Sequence, residues 1–305
     1  MKLATLRLPS GGAAAETVVV RQDGDTFTEI PGYADLGALL AAEGWREIAQ
    51  TADGAAHPVR GADLAPVIPS PSKVLCVGLN YASHIQEMGR ELPQYPTLFA
   101  KFAETLTGPN DDVELPAADP AIDWEAELVV VVGKRARRVS EAEAGEYIAG
   151  FTVANDISMR SYQFRTKEWL QGKLWEASTP VGPVMVTPEE LDRNAAITTH
   201  VDGAEMQRGS IGDLVHGPEY LVSYISEMIT LNPGDLILTG TTGGVGRARR
   251  PEVYITDGQT VTVAIEGIGE LRNVARAQAE LPAVAPAGVE LPAVAAAGAA
   301  REARA

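Results

Sequence analysis

The sequence predicts an α+β fold that is mostly β, with a small α+β unit at the N-terminus. Short runs of β-branched and aromatic residues recur between residue 73 and about residue 275, separated by glycine and proline. Segments with apolar residues at helical spacing are few, and the clearest covers residues 220–229. The chain has 305 residues, 45% of them hydrophobic, which is enough for one large domain and a smaller one.

The first 68 residues form the predicted N-terminal unit. Residues 17–21, TVVVR, are predicted as a strand, and residues 36–43 as a short helix. Residues 66–71, PVIPSP, contain three prolines, which favour an extended connector. We therefore predict a small domain over residues 1–68 and a larger one over residues 69–275.

The large domain begins with a predicted buried strand, KVLCVGL, at residues 73–79. Five further strands are predicted, at residues 128–132, 150–154, 183–186, 235–239 and 260–265. The valine run LVVVV at 128–132 is typical of a strand that is covered on both faces.

Residues 276–305 are predicted to be a flexible tail. Residues 280–289 and 290–299, ELPAVAPAGV and ELPAVAAAGA, are near copies of each other. Two copies are too few for a repeat fold, and alanine, proline and glycine dominate, so the flexible interpretation is favoured over a structured element.

Composition narrows the class of function. The 25 Lys and Arg residues stand against 41 Asp and Glu, giving a net charge of −16, which argues against nucleic acid as a partner. A small anionic substrate would need a local cluster of Arg or Lys. The one cysteine, Cys76, excludes intramolecular disulfides and cysteine-rich metal sites. Neither a signal peptide nor a membrane span is recognisable, so we expect a cytoplasmic protein without membrane contact.

Acidic residues stand beside two predicted strands. In an extended chain Glu125 and Glu127 point to the same face, with Cα atoms about 7 Å apart. An edge strand facing solvent would explain them, but carboxylates leading into a buried valine run are costly unless paired or bound to a cation. Asp156 ends another strand, where it fits either a helix cap or a site. Three carboxylates suit Mg²⁺, Mn²⁺ or Ca²⁺ better than Zn²⁺.

A histidine and a glutamate three residues apart, His84 and Glu87, would meet on one helical turn. A carboxylate that orients an imidazole makes it a better general base, which could activate a water molecule. A polar surface turn, or metal ligation by His84, would also account for the pattern.

Three polar segments could contact a substrate. Arg160 and Gln163 lie three apart on a helix predicted to begin near Ser158, where they could hold a carboxylate and a carbonyl. Lys173 follows a glycine and could place its ammonium over an enolate or carboxylate. The glycine-rich LTGTTGGVG lacks the following helix that nucleotide binding requires, so a tight loop presenting Thr241 and N–H groups to a small anion fits better.

Six motifs in order along the chain resemble those of the fumarylacetoacetate hydrolase family. They are GLNYASH with Glu87, PTLFAKF, DWEAEL, GFTVANDISMRSYQ, QGKLWEASTPVGP and LTGTTGGVG. The resemblance extends from about Pro69 to Ala275. It implies a mixed β-sandwich or β-roll of the type in that family's C-terminal domain, a variable N-terminal domain and a homodimer.

The resemblance also implies roles for residues of the site. Glu125, Glu127 and Asp156 would bind Mg²⁺ or Mn²⁺, with Ca²⁺ as a further candidate. His84 and Glu87 would be a water-activating dyad on a lid over the substrate, with Lys173 as a third catalytic group. The substrate contacts implied by the motifs are Arg160, Gln163, Thr241, Tyr81 and Lys101.

The function predicted on this basis is metal-dependent hydrolysis of a C–C bond in an acylpyruvate or β-diketo acid, as in aromatic catabolism. An alternative on the same site is decarboxylation or tautomerisation of a keto acid such as oxaloacetate, or hydration or isomerisation of an aromatic-degradation intermediate. A third is a non-catalytic metal- and ligand-binding protein. Departures from the family pattern at Phe102, Ser161 and Glu176 leave the natural substrate open.

Overall fold

A computed structural model of the protein describes residues 1–9, 16–87 and 91–278, apart from the side chains of residues 84, 86 and 87. The predicted tail falls almost wholly outside the described residues. The strands are β1 (Lys2–Arg7), β2 (Thr17–Asp23), β3 (Thr26–Glu29), β4 (Ala56–Pro58), β5 (Val74–Gly78), β6 (Thr97–Lys101), β7 (Leu106–Thr107), β8 (Val113–Leu115), β9 (Ile122–Asp123), β10 (Ala126–Val132), β11 (Ile148–Asn155), β12 (Ser158–Met159), β13 (Thr179–Val186), β14 (Ala196–Val201), β15 (Ala204–Ser210), β16 (Leu236–Thr241), β17 (Thr260–Ile265) and β18 (Gly269–Ala277). The helices are α1 (Leu36–Leu40), α2 (Trp45–Thr51), α3 (Ala82–Glu87), α4 (Glu141–Ala144), α5 (Arg160–Gln163), α6 (Leu170–Lys173) and α7 (Pro218–Met228).

A large mixed sheet forms the centre of the molecule, with strand order β4-β3-β2-β1-β13-β11-β10-β16-β5-β6 and β7 paired to β13. The β16–β5 and β13–β7 pairs are parallel, and the neighbours of β10 are antiparallel. A second sheet has the order β15-β14-β17-β18-β8 and packs against β10, β11 and β13. The expected α+β, mostly β architecture with mixed sheets is confirmed.

Strand β10 lies between two apolar layers. Its alternate residues Leu128, Val130 and Val132 join the core shared with the second sheet. Val129 and Val131 point the other way, into a core closed by α1 and residues 67–68. Every residue of β10 is therefore buried, as the valine run predicts.

The N-terminal residues extend the central sheet. Strand β1 pairs antiparallel with β13, with Lys2 opposite Val186 and Leu3 opposite Met185. Strands β2, β3 and β4 then continue the sheet outward. The domain boundary expected at residue 68 stays a prediction, because one hydrogen-bonded sheet spans both sides of it.

Most predicted elements occur close to their expected positions, and two helices are shorter than expected. The helix expected over residues 36–43 ends at Leu40. The helix expected near Ser158 begins at Arg160, after Ser158 and Met159 pair with β9, and it covers only four residues. None of the helices in the described part of the chain combines the length and apolar character needed to cross a bilayer.

Candidate active site

A carboxylate cluster forms where β10 and β11 lie side by side. Ala126 is opposite Asn155 in this antiparallel pair, which places Glu125 and Glu127 next to Asp156. The Asp156 N–H donates to the Glu125 carbonyl at 2.9 Å and fixes the register at the strand end. One carboxylate oxygen from each of the three residues lies within 4.8 Å of the others. The structure thus brings together the three carboxylates singled out from the sequence.

Buried cations neutralise two members of this cluster. Lys173 Nζ lies 2.7 Å from Glu125 Oε2 and 2.8 Å from Asp156 Oδ2. Lys101 Nζ lies 2.6 Å from Asp156 Oδ1, and Arg160 Nη1 lies 2.7 Å from Glu125 Oε1. Burial alone would raise the pKa of Asp156, but the two ammonium groups more than offset it and lower that pKa. Burial would likewise lower the pKa of Lys173, yet Asp156 and Glu125 raise it, so Lys173 stays protonated.

Glu127 is the member of the cluster without a cationic partner. One of its oxygens accepts from the Gly240 N–H at 2.8 Å, and among the described residues it forms no ion pair. Burial, followed by the charges of Asp156 and Glu125, raises the pKa of Glu127 well above its usual range. An excess of buried negative charge, carried entirely by carboxylate oxygens, suits a hard divalent cation. The cluster therefore fits a hard divalent cation.

Asp123 is a functional residue that the sequence analysis did not single out. It is fully buried, and its Oδ2 lies 2.8 Å from Arg160 Nε and 2.7 Å from Nη2. Its two oxygens also accept from the Gly246 N–H at 2.7 Å and the Arg247 N–H at 3.0 Å. Its position could have indicated it in the sequence, because Asp123 is the first residue of DWEAE and lies two residues before Glu125, the first glutamate of the cluster. Asp123 therefore fixes Arg160 against the cluster.

Two members of the cluster, Glu125 and Glu127, form the floor of a cavity of about 520 Å³, and Asp156 is fully buried beside them. Helix α5 contributes Arg160 and Gln163, whose side chains meet at 2.8 Å from Nη1 to Oε1. Lys173 at the end of α6 and Thr241 at the end of β16 also contribute polar groups to the lining. The remaining wall and the mouth consist of Val77, Gly78, Leu79, Phe99, Phe164, Trp169, Val245, Arg247, Ala248 and Arg250.

Four of the substrate-contact residues and catalytic groups expected from the sequence line this cavity, and two do not. Arg160, Gln163, Lys173 and Thr241 face it. Tyr81 is wholly buried in the apolar core, and its burial raises the pKa of the phenol. Lys101 is buried beside Asp156 and is not part of the cavity lining. Substrate contact by Tyr81 and Lys101 therefore stays a prediction.

The proposed general base lies next to this cavity in sequence. Gly78 and Leu79 form part of the wall, and α3, which contains His84 and Glu87, follows directly. The side chains of His84 and Glu87 lie outside the described part of the structure. The role of the dyad therefore stays a prediction.

The glycine-rich segment after β16 directs its backbone N–H groups to carboxylates of the protein itself. The Gly240 N–H binds Glu127, and the N–H groups of Gly246 and Arg247 bind Asp123. Thr241 Oγ1 accepts from the amide of buried Gln207 at 2.9 Å. The small anion expected at this loop is thus replaced by two acidic side chains, while Thr241 still faces the cavity.

Comparison with known proteins identifies relatives of this chain. The family model described as fumarylacetoacetate (FAA) hydrolase C-terminal matches residues 73–276. A protein of Rattus norvegicus named oxaloacetate tautomerase Fahd2a, mitochondrial, is 41% identical over 213 residues, which cover 69% of this chain and 68% of that protein.

Solved structures show the same fold. That of 5-carboxymethyl-2-hydroxymuconate delta-isomerase from Mycobacterium smegmatis is 32% identical with a TM-score of 0.75, covering 91% of this chain and 100% of that one. That of fumarylacetoacetate hydrolase from psychrophilic Exiguobacterium antarcticum is 28% identical with a TM-score of 0.81 and the same coverage. Two solved structures named for different reactions thus share this architecture.

Proposed function

The chain belongs to the fumarylacetoacetate hydrolase family of enzymes, and we propose that it catalyses keto–enol tautomerisation of a small 2-keto acid such as oxaloacetate. The observation that carries this proposal is the protonated, buried Lys173 on the floor of the cavity. Its ammonium has three N–H donors, and Glu125 and Asp156 accept only two of them. One donor is left for an enolate oxygen of the substrate.

Tautomerisation moves one proton between carbon 3 and the oxygen on carbon 2, and no C–C bond breaks. The intermediate is an enolate, whose negative charge is stabilised by donors that are already in place. A divalent cation held by Glu125, Glu127 and Asp156 would supply Lewis-acid polarisation of the carbonyl. Arg160, fixed by Asp123, orients the adjacent carboxylate, and Lys173 donates to the enolate oxygen.

A general base must also take the proton from carbon 3 and return it. His84 with Glu87 is the proposed group, because both lie in α3 directly after the cavity wall and three residues apart. In the keto-to-enol direction His84 accepts the carbon proton, and the enolate oxygen is protonated from the Lys173 side. His84 then releases its proton to solvent and the Lys173 side takes one up from solvent, so the enzyme returns to its starting protonation state, and the reverse direction retraces these steps.

The name of the rat relative supports tautomerisation over the C–C bond hydrolysis expected from the sequence. Hydrolysis is kept as the second candidate, because the chain shares its fold with the fumarylacetoacetate hydrolase of Exiguobacterium antarcticum. It requires a further step, the attack of an activated water on a remote carbonyl, which tautomerisation does not need.

Product analysis separates the two candidates. Purified protein with Mg²⁺ or Mn²⁺ is mixed with enol oxaloacetate and, separately, with acetylpyruvate, while absorbance and product masses are followed. Tautomerisation is expected to accelerate the loss of enol absorbance without a change in mass. Cleavage of acetylpyruvate into two acids would instead establish hydrolysis, and release of CO₂ from oxaloacetate would establish decarboxylation.

A further inference from the structure

An arginine and a phenylalanine are stacked at the mouth of the cavity. The guanidinium carbon of Arg247 lies 3.8 Å from the centroid of the Phe164 ring. Phe164 is 49% exposed, although it is a large apolar side chain. The electron-rich face of the ring attracts the guanidinium, and this contact favours an orientation of Arg247 over the ring. The ring thus acts as a platform for the cation.

The donors of Arg247 distinguish it from the other cations of the cavity. Lys173 and Arg160 already bind Glu125 on the floor. Arg250 Nη1 donates to the carbonyls of Arg247 and Arg249, at 3.4 and 2.9 Å. Within the described residues, the side chain of Arg247 forms neither a hydrogen bond nor an ion pair. Its planar fork of N–H donors is free to bind a ligand.

Hydrogen bonds fix the position of the Arg247 backbone relative to the floor of the cavity. Asp123 accepts the N–H groups of Gly246 and Arg247 while it also binds the Arg160 guanidinium. A Cβ at Gly246 would come within 1.8 Å of the Val253 carbonyl oxygen, so the chain is tightly packed there. One buried carboxylate therefore sets the relative positions of Arg160 on the floor and Arg247 at the mouth.

We propose that Arg247, held against Phe164, binds a second carboxylate of the substrate and makes the protein selective for dicarboxylic 2-keto acids. This inference rests on the proposed function, which places the reacting keto-acid end of the substrate on the floor. The overall charge of −16 repels a dianion, so a free arginine at the mouth is needed to offset that field. A bidentate guanidinium–carboxylate contact is strong and geometrically specific.

The test compares two stable 2-keto acids that differ at the distal end. 2-Ketoglutarate carries the second carboxylate, and 2-ketovalerate carries a methyl group in its place on a chain of the same length. Dissociation constants for both are measured by calorimetry on the Mg²⁺-supplied protein, its Arg247→Gln and Arg247→Lys variants, and an Arg135→Gln control. Arg135 is exposed and lies outside the cavity lining, so its substitution removes the same charge elsewhere.

The unmodified protein is expected to prefer the diacid, and Arg247→Gln to reduce the ratio of the two dissociation constants on the order of 10- to 100-fold. Arg247→Lys should recover only part of the preference, since lysine keeps the charge but loses the planar fork. In oxaloacetate turnover, Arg247→Gln should raise KM more than it lowers kcat. The Arg135→Gln control should match the unmodified protein.

Equal preference for the diacid in Arg247→Gln and the unmodified protein would overturn the inference. So would a loss of preference of the same size in Arg135→Gln, which would indicate a general charge effect. These binding outcomes do not depend on turnover. Failure of the proposed function, seen as absence of tautomerisation by the unmodified protein, is therefore distinguishable from failure of this inference.

Discussion

Buried charge at single residues decides the chemistry of this cavity. Asp123, Glu125, Glu127 and Asp156 are buried together with Lys101, Lys173 and Arg160. Each of these charges would be costly alone, so each cation is placed against a carboxylate. Glu127 is left over, and a divalent cation bound beside it would compensate the negative charge that its ionisation adds to the cluster.

The first prediction concerns Asp123. Substitution Asp123→Asn removes the charge that faces the buried Arg160 guanidinium, so we expect a loss of about 3–5 kcal/mol in the free energy of unfolding. Urea denaturation of the variant and the unmodified protein measures this difference in the free energy of unfolding. The matched control is Asp112→Asn, which breaks the exposed pair with Arg276, 2.9 Å from Nε to Oδ2, and should cost less than about 1 kcal/mol. Equal losses in both variants would contradict a positioning role for Asp123.

Site residues could be predicted where the signal lies within a few residues of the sequence, and could not be predicted where their partners are distant in sequence. Glu125 and Glu127 were recognisable because two residues in an extended segment point to one face, and Asp156 because it ends a strand. Asp123, Gln207 and Arg247 were not found. Asp123 binds N–H groups more than a hundred residues away, and Gln207 orients Thr241 across 34 residues. No local pattern encodes such partners.

At the scale of elements, close backbone approaches shape the segment after β16. Gly246 packs against the Val253 carbonyl and the Asp123 carboxylate, and a Cβ there would lie 2.8 Å from Asp123 Oδ1. The 3-10 turn Gly246–Ala248 follows, so this contact sets the position of the cavity mouth.

The second prediction is that Gly246→Ala destabilises the protein by about 1–3 kcal/mol, because backbone and Asp123 must shift to admit the methyl group. The control is Gly145→Ala, where the backbone is helical and a Cβ would meet only Glu219 Cγ at 3.9 Å. That substitution should be neutral or stabilise by up to about 1 kcal/mol. Thermal and urea unfolding of both variants would check the difference, and equal stability would refute the packing argument.

The N-terminal strands are tied to the rest of the chain by an ion pair as well as by the sheet. Arg7 at the end of β1 binds the Asp111 carboxylate through two N–H groups, at 2.8 and 2.7 Å. The Thr107 hydroxyl and the Gly108 N–H also donate to the Asp111 carboxylate. Burial acts to raise the pKa of Asp111, but these donors, Arg7 first, lower it overall.

The third prediction follows from the sign of that pKa shift. The carboxyl of Asp111 has a lower pKa in the folded protein than the value of about 3.9 in an unfolded chain. Its contribution to stability is therefore complete above the unfolded pKa and is lost as the pH falls through the folded pKa. Urea unfolding from about pH 6 downward should show a shallower loss of stability in Asp111→Asn than in the unmodified protein. If stability fell equally steeply with pH in Asp111→Asn and in the unmodified protein, the Arg7–Asp111 ion pair would not contribute as proposed.

Elements with a continuous local signal were predictable, and their pairing was not. β10 and β17 match the runs expected from hydrophobic pattern, because buried strands need β-branched residues at every or every second position. The antiparallel pairing of β1 with β13 joins segments about 180 residues apart and leaves no trace in either segment. For the same reason the extension of the central sheet by β2, β3 and β4 could not be anticipated.

At the scale of the whole molecule, the sheet, cavity and net charge set the conditions for ligand binding. The acidic protein surrounds a cavity that gathers Arg160, Lys173 and Arg247, the local cluster that an anionic substrate requires. The predicted homodimer stays a prediction, because the structure describes a single chain, and its mass in solution would decide it.

The fourth prediction concerns metal binding. A cation that binds the folded protein alone stabilises it, by about 2.7 kcal/mol at a hundred times its dissociation constant. Mg²⁺ or Mn²⁺ should therefore raise Tm, and Glu127→Gln should abolish most of the rise. Glu114→Gln, at an exposed glutamate in β8, is the matched control and should retain it. A rise of the same size in Glu127→Gln would place the ion elsewhere.

The most direct test of the central claim is the rate at which the protein, supplied with Mg²⁺, converts enol oxaloacetate to its keto form. We predict metal-dependent conversion that falls on the order of 100-fold or more in Glu127→Gln. Glu114→Gln should be as active as the unmodified protein. Conversion that is indifferent to the metal and unaffected by Glu127→Gln, or an unmodified protein that binds the metal without converting the enol, would contradict the account.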